Sequence, residues 1–227
     1  MKYSPYSFSK LNTYKHCNRK FKYSYIDKVS PDNKDITALL KGGAVHSIIE
    51  YFPQKSTHKL ANQYQHIFDK FIETKLAKLY LTQNNIKEYD FGLTKKLIPT
   101  AYNDKDALFR GSVDFICIID KTLYLCDWKT GKYKEEKYQT YDQLMFYAIY
   151  FFQRYENINS IKISYVYVEH IDTENTMVLE RKYLNTYILQ LINSISNVEH
   201  EEDFKKTIST LCNYCEFKTH CDNDSSL

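Results

Sequence analysis

Asp114, Asp127 and Lys129 are the residues whose types and spacing most readily support chemistry. Asp114 sits between Val113 and Phe115 in an apolar run over 109–119, and Asp127 lies near the end of a second run over 122–128, two positions before Lys129. A carboxylate with such neighbours is expensive to bury unless it is paired or bound to a metal. Both runs are rich in β-branched and aromatic residues and are separated by Asp120 and Lys121, which predicts a β-hairpin. Antiparallel pairing would bring the two carboxylates within reach of one divalent cation, and in extended backbone Asp127 and Lys129 project from the same face. The set suits phosphodiester hydrolysis, where a metal acidifies a bound water and polarises the phosphate while a lysine orients that water and offsets developing charge. Two simpler arrangements fit the same residues: a solvent-facing Asp114, and an ordinary surface ion pair worth under about 1 kcal/mol.

The six cysteines form a second constellation. The N-terminus has no apolar secretory segment, so the chain is expected in the cytoplasm, where thiols stay reduced. Cys212, Cys215 and Cys221 follow a Cys-x2-Cys-x5-Cys pattern near the C-terminus, while Cys17 stands alone near the N-terminus. Three clustered thiolates need a fourth ligand. Four thiolates are the usual complement of a [4Fe-4S] cluster. A Cys-x2-Cys knuckle is equally at home with zinc, with thiolates alone or with His16 or His220. Cys117 and Cys126 lie in the strand-like runs and read as small apolar core residues.

These groups must be positioned by the rest of the chain. Ser9 is a candidate N-cap for a short helix through Cys17, and apolar residues at helical spacing predict helices over 35–52 and 57–82. After the hairpin, a helix is predicted over 138–155, strands over 161–169 and 176–179, and a last helix over 183–198. The order predicts a mixed α/β fold, a central mixed sheet flanked by helices. No linker or repeat divides the chain, so one domain is expected over 1–227: a helical part to about 100, a sheet core over 101–180, and a C-terminal helix with the cysteine cluster over 181–227.

Composition sets the outer bounds. The chain has 227 residues, of which 43% are apolar and 26% charged, enough for a real core and far from the profile of disorder. No run of 18 apolar residues suggests a membrane partner. A net charge of +3 is mildly basic, compatible with nucleic acid without demanding it. Lys10, Lys15, Arg19, Lys20 and Lys22 interleave with aromatic residues, a mixture suited to tracking a single strand and also to a solvated helix face. Lys132, Lys134 and Lys137 follow Lys129 closely and are the better candidate for a phosphate path. The 22 tyrosines fit either an aromatic binding surface or the residue bias of an AT-rich genome.

The series Gly43-Ala44-Val45-His46, Gly111-Ser112-Val113-Asp114, Asp127-Trp128-Lys129-Thr130-Gly131 and Gln143-Leu144-Met145-Phe146-Tyr147 resembles the ordered motifs of the PD-(D/E)XK nuclease superfamily, in its RecB-type branch. The resemblance spans nearly the whole chain and implies a restriction-endonuclease-like core. It further implies that His46, Asp114 and Asp127 bind the catalytic metal, that Lys129 positions or activates the attacking water, and that Gln143 and Tyr147 support the site. That last pair, four apart, would share a helix face. A histidine among oxygen ligands softens the site, so Mn²⁺ should serve at least as well as Mg²⁺, and Ca²⁺ should bind without turnover.

Residues 6–23 and the C-terminal cysteines are similar to the iron-sulfur members of that branch, the CRISPR-associated adaptation exonucleases and the AddB nuclease domain. The matching positions Cys17, Cys212, Cys215 and Cys221 would hold a structural [4Fe-4S] cluster; Asn18 departs from the proline usual there. Such a staple would join thiols nearly two hundred residues apart, a closure worth roughly 5 kcal/mol of chain entropy. The implied activity is a metal-dependent deoxyribonuclease, an exonuclease on single-stranded DNA or DNA ends. A helicase or CRISPR adaptation partner would supply unwinding, because no helicase motif is present. The alternative is a catalytically idle nucleic-acid-binding or scaffold subunit of a repair, recombination or adaptation complex, against which the intact His46, Asp114, Asp127 and Lys129 weigh.

Overall fold

The computed structural model describes residues 2–32, 36–120 and 122–223. The N-terminal part is helical, with α1 (Phe8–His16), α2 (Asn18–Phe21) running into a π-turn, α3 (Thr37–Tyr51), α4 (Ala61–Phe71) and α5 (Lys75–Leu81). Strands β1 (Asn85–Thr94), β2 (Pro99–Thr100), β3 (Ala107–Ile119) and β4 (Thr122–Lys129) follow. Then come α6 (Asp142–Arg154), β5 (Ser160–Tyr167), β6 (Glu174–Glu180), α7 (Leu184–Glu199) and the short α8 (Lys218–Asn223). The six strands form one mixed sheet in the order β2-β1-β3-β4-β5-β6. Only β4 and β5 run parallel, and α6 supplies the crossover that a parallel pair needs.

Each face of the sheet carries helices. Leu123 and Leu125 of β4 pack with Leu144, Ile149 and Phe152 of α6 and with Leu191 and Ile195 of α7. Cys126 and Trp128, of opposite parity, pack with Val45 and Ile48 of α3, Phe71 of α4 and Tyr80 of α5. Alternation along one strand thus serves two cores. Nine consecutive residues of α6, Leu144 to Phe152, are buried, the pattern of a helix enclosed on all sides. The architecture is the predicted mixed sheet between helices, consistent with a restriction-endonuclease-like core. No described helix is long and apolar enough to cross a membrane.

Several elements depart from the sequence reading. The sheet starts at Asn85, inside the part expected to be helical. Glu88 there has a left-handed φ of 49°, which interrupts the alternation that would mark a strand. The helix expected over 57–82 is two, because Thr74 accepts from Ala77 N and starts α5 afresh. Ser7, not Ser9, caps α1, its hydroxyl accepting from Lys10 N. The expected start of α3 at Asp35 and the hairpin residue Lys121 lie outside the described residues. The helix expected from 138 begins at Asp142, and β6 is longer than the four residues predicted.

Candidate active site and cysteine pocket

The β3–β4 ladder ends at Phe115 opposite Cys126, one step before Asp114 and Asp127 would face each other. There the strands part, and the backbone N–H of Trp128 donates to Asp114 Oδ2 at 2.8 Å. A carboxylate therefore replaces the backbone acceptor at the mouth of the hairpin. Trp128 itself is locked in the core against Phe115 and Phe71, so the residues on either side of it have fixed directions.

Asp127 is 5% exposed and has a partner on each oxygen. Gln143 Nε2 donates to Oδ1 at 2.7 Å, and Lys129 Nζ lies 2.5 Å from Oδ2. Lys129 also sits 4.7 Å from the centroid of the Tyr165 ring, a cation–π contact that holds it against β5. Tyr147 lies one turn beyond Gln143 on α6; burial pushes its phenol well above the usual range, against a hydrogen bond from Gln143. Gly111 is required here by packing, since a Cβ would meet Phe91 Cζ at 2.5 Å and Tyr147 Cε1 at 2.8 Å.

His46 comes from α3 on the other face. Its Nε2 lies 2.8 Å from the Trp128 carbonyl oxygen; a carbonyl can only accept, so Nε2 carries the proton. The lone pair on Nδ1 then faces Asp114 Oδ2 at 3.4 Å. Burial lowers the imidazole pKa, favouring this neutral form. Asp114 is pushed well above the usual carboxylate range by burial and then by the charge of Asp127. An imidazole lone pair and a crowded carboxylate facing each other form a seat for a cation.

Glu88 completes that seat and was not among the residues singled out from sequence. Its neighbours Lys87 and Tyr89 pair with Phe115 and Val113, so Glu88 sits across from Asp114. His46, Glu88 and Asp114 each offer a ligand atom within 4.8 Å of the other two. Burial first, then the charges of Glu50, Asp90 and Asp127, push the Glu88 pKa up to about 7. The available signal was an acidic residue in a segment that reads poorly as helix, and only the strand register assigns it. Asp127 falls outside the 4.8 Å group, because its oxygens turn to Lys129 and Gln143.

Cys17, Cys212, Cys215 and Cys221 line one cavity of about 400 Å³ between α1, α2 and the C-terminal segment. Cys17 Sγ accepts from Lys20 N at 3.5 Å and Cys212 Sγ from Ser209 N at 3.4 Å. Burial raises the Cys221 thiol pKa, Lys206 opposes this, and Cys17 and Cys215 add to it. Stacking of Phe21 on Phe204 and contact between Tyr23 and Phe217 dock the tail on α2 and the turn after it. Cys117 and Cys126 are buried in the core, as expected.

The N-terminal basic patch is largely committed to internal partners. Lys10 donates to backbone oxygens of Tyr3 and Pro5, and Lys15, Lys20 and Lys22 pair with Asp142, Glu216 and Asp27. Phe21 and Tyr23 are buried. Lys132 and Lys134, beyond β4, are exposed, while Lys137 pairs with Glu135.

No curated protein matches the chain. Among solved structures, a protein of Eubacterium rectale whose description as an exonuclease is itself provisional is similar at 16% identity and a TM-score of 0.54, over 90% of this chain and 91% of its own. SSO0001 aligns over 94% of both chains at 13% identity, with a TM-score of 0.35. The first likeness concerns the fold. A profile of one nuclease group matches residues 5–222, the span that contains every motif meeting at the mouth of the β3–β4 hairpin, and by that match the chain belongs to the PD-(D/E)XK nuclease superfamily.

Proposed function

We propose that this chain is a metal-dependent deoxyribonuclease, an exonuclease acting on single-stranded DNA or DNA ends, with His46, Glu88, Asp114 and Asp127 around the metal and Lys129 beside the attacking water. The observation that carries the reading is the Nδ1 lone pair of His46 facing Asp114 at 3.4 Å, with Glu88 within reach of both. The donor set, one imidazole nitrogen and carboxylate oxygens, fits Mn²⁺ or Mg²⁺, and a cation would relieve the crowding that raises Asp114 and Glu88. Bound there, a divalent ion supplies Lewis acidity toward phosphate and acidifies water.

The chain's own groups do the rest. Asp127, held by Gln143, keeps the Lys129 ammonium at the rim of the site, where it can orient a water and offset charge developing on phosphate. Tyr165 limits the directions open to that ammonium. The exposed Lys132 and Lys134 lie just beyond the lysine and suit phosphate contacts of an incoming strand.

For the cysteine pocket a structural [4Fe-4S] cluster on Cys17, Cys212, Cys215 and Cys221 is the better-supported occupant. Tetrahedral zinc with Zn–S bonds of ~2.3 Å holds its thiolates under about 4 Å apart. Among the described residues no three sulfurs lie mutually within 4.8 Å, a spacing that suits the wider cubane. Backbone N–H donors to two sulfurs are what such a cluster uses. Its role would be to staple the termini. A helicase or CRISPR adaptation partner remains part of the proposal only through the likeness of the N-terminal stretch and cysteine spacing.

The test is anaerobic purification and a visible spectrum, then cleavage of end-labelled single- and double-stranded DNA in Mn²⁺ with Lys129→Ala as control. Broad absorption near the visible edge and Mn²⁺-dependent trimming from ends are expected. Metal-independent cleavage would sink the mechanism, and a colourless zinc protein the cluster.

A further inference from the structure

One face of α3 lines a cleft of about 420 Å³ that opens onto the candidate metal seat. It is formed by Leu39, Gly42, Gly43, His46 and Glu50, with Glu88 opposite. Two consecutive glycines in the middle of a fifteen-residue helix are unfavourable, because glycine has the lowest helix propensity after proline. Neither is there for backbone freedom, as no glycine in the described chain has positive φ. Nor does packing explain Gly43, where an added Cβ would meet nothing closer than His58 Nε2 at 3.9 Å. At Gly42 the nearest atom would be Thr130 Oγ1 at 3.4 Å, an ordinary contact. Gly111 and Gly92 differ, since a Cβ there would lie 2.5 Å from Phe91 and 2.7 Å from the Ala101 carbonyl oxygen.

The space above Gly42 and Gly43 is thus kept clear of side chains without an internal reason, one helical turn from His46. His58 Nδ1 accepts from Leu60 N at 3.2 Å, which leaves its Nε2–H as a donor at the edge of the cleared surface. Leu39, 68% exposed, stands at the outer end. A flat strip of backbone, an N–H donor beside it and an apolar side chain beyond match a sugar, a phosphate and a base in turn.

Resting on the nuclease reading above, we propose that the Gly42–Gly43 surface of α3 seats the nucleotide adjoining the scissile phosphate. The sugar lies flush on the helix, and the next phosphate takes the His58 Nε2–H. A side chain at position 43 would occupy the place of the sugar. The substrate class is therefore a nucleic-acid strand that continues past the cleaved bond.

The experiment uses Gly43→Ala and Gly43→Leu, each in a Lys129→Ala background so that bound DNA is not cut. Affinity for a fluorescent single-stranded oligonucleotide in Mn²⁺ is read by anisotropy, and thermal melting by circular dichroism. Both residues favour helix over glycine, so Gly43→Ala should melt at a higher temperature than its parent while binding DNA more weakly. Gly43→Leu should weaken binding by at least about tenfold with its helical spectrum retained. A parent that binds no oligonucleotide, a Gly43→Leu variant with unchanged affinity, or a Gly43→Ala variant that melts lower would overturn the inference. Cleavage by the unmodified chain in Mn²⁺ is a separate readout. If it cuts DNA while Gly43→Leu binds as before, only the nucleotide seat fails; if it cuts nothing, the nuclease reading fails.

Discussion

At the mouth of the β3–β4 hairpin, each candidate catalytic group is aimed by something buried: Asp114 by the Trp128 backbone, Asp127 by Gln143, His46 by a carbonyl in β4. The four cysteines of the pocket are instead half-buried. They sit on or beside helices of four to six residues and an irregular tail. Long elements packed in two cores hold one set, and two aromatic docks with a few polar contacts such as Lys20–Glu216 hold the other. A pre-formed site can bind a labile ion and release it, whereas a site at the meeting of two chain ends gains much of its order from its ligand. The first arrangement suits turnover and the second a staple.

Four measurements would break or sharpen that contrast. The largest effect is expected from Lys129→Ala, which should lower the cleavage rate by ~10²- to 10⁴-fold, the range for a positioned proton-transfer group, with cooperative melting retained. A fully active variant would remove the lysine from the mechanism. Next, Glu88→Gln should weaken Mn²⁺ binding by at least ~10-fold in calorimetry while leaving the fold intact; an unchanged affinity would take Glu88 out of the metal seat.

Cys215→Ser addresses the other region. If the pocket is a staple, hydrogen exchange should quicken in α1, α2 and the tail while the β3 and β4 amides stay protected. Uniform loosening would mean that the two regions form one cooperative unit. The smallest effect concerns acid. Burial raises the Glu199 carboxyl, but hydrogen bonds from the Tyr6 hydroxyl and the Lys2 and Tyr3 backbone outweigh it, so its pKa is lowered on folding. Its stabilisation is complete above the unfolded-state pKa of about 4.3 and is lost as pH falls through the lower folded value. Protection of the amides of residues 2–6 should fall there, and Glu199→Gln should flatten that dependence.

Much of the site could be read from residue order because its motifs sit on elements with clear periodicity. The hairpin alternates, so Asp127 and Lys129 were bound to share a side, and Gln143 and Tyr147 are one helical turn apart on a strongly apolar helix. Glu88 was hidden because its left-handed backbone breaks the alternation of β1. The N-terminal lysines look free in sequence, but Asp142 and Glu216, far along the chain, neutralise two of them.

Local sequence therefore determined which side chains are chemically able to form a site: their types, their spacing within each strand or helix, and the thiols at the two ends. Only the tertiary structure decided their distances, since these depend on the register of β1 against β3, on where β3 and β4 part, and on α3 crossing to the far face. Register and crossover are set by packing between distant segments, and no local pattern encodes them. That is why His46 and Asp114 could be named separately, while their 3.4 Å approach and the third group beside them emerged only from the fold.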